Sequence, residues 1–135
     1  MCYFLCLSLP YEVPNLVQTL GGKLILEDAS ATPIGKATRG NRIESRVYVL
    51  TNGGCSCCIL GKNHNTVEDG AEDFIERLKR LLEEVPSVSL LLHTFRADWR
   101  LEEVPLKEKR LITLENFAFP NLEENIRYVI KSHRS

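Results

Sequence analysis

Tyr3-Phe4-Leu5-Cys6-Leu7-Ser8-Leu9 alternates two faces, Cys2/Phe4/Cys6/Ser8 and Tyr3/Leu5/Leu7/Leu9, and both are largely apolar. Successive side chains of a strand point to opposite sides of its sheet, so a strand apolar on both sides belongs in the middle of a sheet covered on both faces. That places a layered fold around this segment. Pro10 stops the strand, and Pro14 sits where the first turn of a helix tolerates a missing N–H, with Leu16, Val17 and Leu20 on one side and Gly21-Gly22 as the stop.

Outward from this pair, Lys23 to Glu27 reads as a second strand and Ile43 to Leu50 as a third. The polar stretch Asp28 to Asn41 between them, with Pro33, Gly35 and Gly40, reads as a long loop. The clearest helix follows: Val67, Ala71, Phe74, Ile75, Leu78, Leu81, Leu82 and Val85 recur at spacings of three and four, while Glu68, Glu72, Asp73, Glu76, Arg77, Lys79 and Arg80 take the other side. Val88 to Phe95 is a fourth strand and Lys109 to Glu115 a fifth. Asn121 to Ser132 reads as a closing helix with Leu122, Ile126, Val129 and Ile130 inward.

The predicted order is therefore β-α-β-β-α-β-β-α in a single α+β domain over residues 1–135. Its first six elements follow the ferredoxin-like β-α-β-β-α-β arrangement, with an appended strand and a C-terminal helix. The first and third strands are expected to be parallel neighbours, which would bring Cys6 rather than Cys2 toward the loop that follows Leu50.

That loop carries the densest chemistry. Cys55-Ser56-Cys57-Cys58 follows Gly53-Gly54 and holds three of the chain's five cysteines. Clustered thiolates suit a soft metal, Zn²⁺ or Cu(I), with His64, Cys6, Cys2 or solvent to complete the set, although the spacing is not the paired C-x₂-C of common zinc sites. Thiol redox chemistry is the related possibility. Cys55 with Cys57 is the better disulfide pair, because adjacent Cα atoms at ~3.8 Å are closer than a disulfide prefers. The alternative is a non-enzymatic ligand-binding or assembly domain in which the cysteines pack, since free cysteine is among the most buried residue types. Gly54 to Lys62 mimics a phosphate loop, but the spacing between its glycines is wrong and Asn63 stands where Ser or Thr would hold magnesium.

Composition narrows the classes. With 44% apolar and 26% charged residues and a net charge of −1, the chain reads as an ordinary globular domain. An odd number of cysteines argues for a reducing compartment, so a cytoplasmic location is expected. No apolar run reaches the ~18 residues of a membrane span. Only Lys36 to Arg46 is locally basic, with Arg39 and Arg42 inside it, and it reads as a solvated loop; a broad basic face for nucleic acid is not indicated.

No Ser/His/Asp set emerges, so the sequence does not decide whether the chain is an enzyme. Glu72 with Glu76 and Glu123 with Glu124 read as solvated helix faces. His93 reads as a paired histidine within the fourth strand, and Trp99, between Arg96 and Arg100, as a cover for the sheet edge. The fifth strand, apolar but flanked by Lys107, Glu108, Lys109 and Arg110, is expected at an edge where a homodimer could form.

Overall fold

The computed structural model describes residues 3–20, 25–40, 42, 44–51, 67–113 and 123–131. The first strand, β1 (Tyr3–Leu9), is central as its pattern requires, paired antiparallel with β3 (Arg46–Thr51) on one side and β4 (Ser87–Thr94) on the other. β2 (Ile25–Asp28) lies outside β3, while β6 (Ile126–Lys131) and then β5 (Glu108–Thr113) lie outside β4. The sheet order is β2-β3-β1-β4-β6-β5, antiparallel except for the parallel pair β5/β6.

One face of the sheet is closed by helices. Leu5, Leu7 and Leu9 of β1, Leu90 and Leu92 of β4 and Ile126, Tyr128 and Ile130 of β6 pack against Phe74, Leu78, Leu81 and Leu82 of a long helix, α3 (Val67–Glu84). The short helix α1 (Leu16–Thr19) adds Leu16 to the same core. The opposite face carries a second, smaller core of Cys6, Val47, Val49 and Leu91, covered by α2 (Pro33–Arg39) through Ile34 and by Phe95, Trp99 and Val104. β1 and β4 are thus buried on both sides.

Helix α2 lies in the stretch expected to be loop. Its signals are local and short: the Thr32 side chain accepts from the Gly35 N–H at 3.1 Å, Pro33 occupies the first turn, and Gly40 ends the helix at φ 64°. A seven-residue helix has too few inward residues, Ile34 and Thr38 among them, to show a clear periodicity. Gly35 permits its tight seating, because a Cβ there would collide with the Ala29 carbonyl.

The closing helix is a second correction. Residues 126–131 form β6, with Ile126, Tyr128 and Ile130 on the α3 side and Arg127 and Val129 on the other. This is a period of two rich in β-branched residues, and pairing with β4 on one side and β5 on the other settles it as a strand. Asn125, at φ 64°, turns the chain into it, its N–H donating to the Leu92 carbonyl at 2.9 Å. The first and third strands are neighbours but antiparallel, with Leu5 opposite Leu50, so the chain leaves β3 beside the beginning of β1 rather than its end. The fold is mixed α+β with a six-stranded sheet; its added helix and two strands beyond β4 leave a ferredoxin-like order unestablished. β5 is an edge strand, as expected. No described helix is long and apolar enough to cross a membrane.

Candidate functional site

The second core does not extend over the whole sheet face. Beyond Cys6 and Leu91 the inward positions turn polar: Ser8 of β1 stands opposite Ser89 of β4, both almost completely buried, and Ser89 opposite Val129 of β6. One row away, Arg127 of β6 lies beside Lys109 of β5. Strand alternation therefore sends two serines and two cations to the same face. The end of α2 and the turn after it close over them, where the Ser45 N–H donates to the Arg42 carbonyl at 3.2 Å and Gly40 N–H to that of Lys36 at 3.0 Å.

The result is a polar recess with a cavity volume of about 50 Å³. At 10–15 Å³ per enclosed water, this is room for roughly four waters or one tetrahedral oxyanion. Its cations are Arg39, Arg42, Lys109 and Arg127, its hydroxylic residues Ser8, Ser45, Ser87 and Ser89, and no carboxylate lines it among the described residues.

Arg127 is the most constrained of these groups. Its Nη2 donates to the Arg39 carbonyl at 3.2 Å, and its Nη1 faces Gly40, where a Cβ would collide with it. Its Nε is buried without a hydrogen-bond partner. Burial, and then the charge of Arg42, hold the Arg127 guanidinium below its ordinary value. Elsewhere arginines are neutralised: Arg110 by Glu108 at 3.0 Å and Glu123 at 2.7 Å, Arg100 by Glu27 at 3.6 Å. Among the described residues, no carboxylate comes within ion-pair distance of Arg39, Arg42, Lys109 or Arg127.

A recess of guanidinium, ammonium and hydroxyl donors can hold an anion by charge-assisted hydrogen bonds. The described lining contains no histidine, carboxylate or thiol.

A second polar cluster serves the fold. His93 Nε2–H donates to Glu102 Oε2 at 2.8 Å, and His93 Nδ1 lies 2.6 Å from Asn125 Oδ1, so both ring nitrogens are engaged. Glu102 Oε1 accepts the N–H groups of Arg96 and Ala97, each at 3.0 Å. These bonds, led by that from His93, hold the Glu102 carboxyl below the usual range. His93 is thus the paired strand histidine that its position suggests.

Trp99 covers the sheet face rather than its edge, stacked on Phe4 of the central strand at 6.0 Å, with the Arg100 guanidinium 4.7 Å from its ring centre. Glu123 and Glu124 are likewise not on a helix face: Glu123 pairs with Arg110, and Glu124 accepts the Thr94 N–H.

Of the cysteine-loop residues, Cys55, Cys57, Cys58 and His64 lie outside the described residues. Cys6 is fully buried in the second core, its thiol pushed up to about 12 by burial despite a hydrogen bond with Thr38. Among the described residues there is no group of three or more His, Cys, Asp or Glu able to hold a metal ion.

Of the recess cations, Arg39 and Arg42 fall in the locally basic stretch Lys36 to Arg46, which from sequence reads as a solvated loop. The convergence of Lys109, Arg127 and the serines with them was not visible, because it depends on strand register. The available signal was polar residues on the inward face of apolar strands: Ser8 in β1, Ser87 and Ser89 in β4. No protein-family model, curated protein or solved structure matches this chain.

Proposed function

We propose that this chain is an anion-binding domain whose recess between α2 and the β1/β4/β6 face holds a small oxyanion. The observation that carries this reading is the convergence of four cations on a recess with no carboxylate among its described lining residues. Burial and the charge of Arg42 both act against the charged Arg127 guanidinium, and a bound anion would offset that repulsion. Ser8 and Ser89 supply further donors without adding charge.

On the fold, we take β2-β3-β1-β4 with α1 and α3 on one face as a ferredoxin-like core. The additions would then make the site: α2, placed on the other face, roofs the recess, and β6 and β5 bring Arg127 and Lys109 to its floor.

Calorimetric titration with inorganic phosphate at low ionic strength tests the reading. A saturable single site is expected, abolished by combining Arg42→Gln with Arg127→Gln. Phosphate at 100 times its Kd should also stabilise the fold by about 2.7 kcal/mol. Absence of binding, or binding unchanged in the double variant, would refute the assignment.

The sequence favours a separate reading for the loop of Cys55, Cys57 and Cys58, namely binding of a thiophilic metal, Zn²⁺ or Cu(I), or thiol redox chemistry; its support is the clustering of three thiols in four residues. The two readings concern different segments and can both hold.

A further inference from the structure

Resting on the anion-binding reading, we infer that the ligand is a terminal phosphomonoester, bound as its dianion, whose phosphoryl group enters the recess while the rest of the molecule stays outside.

Three observations carry this. The first is charge. Arg39 from α2, Arg42 from the following turn, Lys109 from β5 and Arg127 from β6 line the recess, and among the described residues no acidic one does. A carboxylate or phosphodiester brings one negative charge, whereas a phosphomonoester brings nearly two at neutral pH.

The second is size. A recess of about 50 Å³ has room for a tetrahedral head. A phosphodiester would have to route chain away from two of its oxygens, whereas the donors here converge from four strands, α2 and the turn after it. A monoester leaves three terminal oxygens for those donors.

The third is donor geometry. The Arg127 guanidinium is held in place by the Arg39 carbonyl, which accepts from Nη2, and by the close approach of Nη1 to Gly40. An anchored guanidinium loses little freedom on binding and matches phosphate oxygens with fixed, planar donors.

The second ionisation of a phosphomonoester falls near pH 6, at about 6. The experiment titrates the intact chain with methyl phosphate, dimethyl phosphate and sulfate at pH 5 and pH 8. Methyl phosphate is expected to bind on the order of tenfold more weakly at pH 5, following its dianion fraction. Sulfate, a dianion throughout, should bind equally at both pH values, and dimethyl phosphate at least roughly tenfold more weakly than methyl phosphate at pH 8.

Arg42→Gln, a change at an exposed position, should erase the preference for methyl phosphate over dimethyl phosphate without lowering the urea midpoint. Glycerol 3-phosphate and a phosphoserine peptide then separate a small-molecule source from a protein one. If both esters bind equally, or methyl phosphate binding ignores pH, the phosphomonoester inference fails while the oxyanion site stands. If none of the anions binds, both fail.

Discussion

Arg127 Nη2 donates to the backbone carbonyl of Arg39 at 3.2 Å, joining the sixth strand to the end of α2 across 88 positions of sequence. Through this bond a cation on the sheet floor is held against the roof of its own recess. The flanking Gly40 makes the approach possible, because it has no side chain where Nη1 lies.

Gly40→Ala should therefore act on both fold and site. Its φ of 64° is disfavoured for alanine and the new Cβ would displace the Arg127 guanidinium. A loss of about 1–3 kcal/mol in urea unfolding is expected, together with weaker phosphate binding in the same preparation. Unchanged binding would show that the Arg127 position does not matter to the site.

Acid should loosen the connection between β4 and β5. Glu102 has a folded value below its ordinary 4.5, led by the bond from His93. A depressed carboxyl contributes stability that is fully present above the unfolded value and is lost as pH falls through the folded one. Wild-type stability should accordingly drop below about pH 4.5, more steeply than that of Glu102→Gln. Parallel urea titrations at pH 3.5 and 6 would check the difference.

Cys6 should be silent in the native state. It is fully buried with its thiol at about 12, and only a thiolate attacks alkylating reagents. Iodoacetamide at pH 8 followed by peptide mass spectrometry should leave Cys6 unmodified until urea is added. In the same experiment, metal content before and after Cys55→Ser with Cys57→Ser tests the loop: retention of the wild-type zinc or copper would remove the metal reading.

Core and edge leucines should differ sharply. Leu7→Ala, at a fully buried position of the central strand, should cost about 2–5 kcal/mol. Leu111→Ser, on the edge strand at 62% exposure, should change monomer stability by no more than about 0.5 kcal/mol. If two copies pair along β5, sedimentation should instead show a mass near twice the 15.3 kDa chain that returns to the single mass in Leu111→Ser. A mass of 15.3 kDa at every micromolar concentration removes the pairing.

The sequence alone determined the elements whose burial repeats locally. Leu5, Leu7 and Leu9 alternating with Phe4, Cys6 and Ser8 marked a strand covered on both sides, and Phe74, Leu78, Leu81 and Leu82 marked a helix with one apolar stripe. Such patterns are legible because each residue's neighbours on the face lie two to four positions away. Residues 126–131 are ambiguous in sequence because Ile126, Val129 and Ile130 fit a helix stripe as well as a strand, and only pairing with β4 and β5 decides between them. Helix α2 was missed because Thr32, Pro33 and Gly40 frame it without a long apolar repeat. The recess could come only from the tertiary structure: Ser8, Arg42, Ser89, Lys109 and Arg127 are far apart in sequence, and sheet register, a non-local property set by hydrogen bonding between distant strands, brings them to one face.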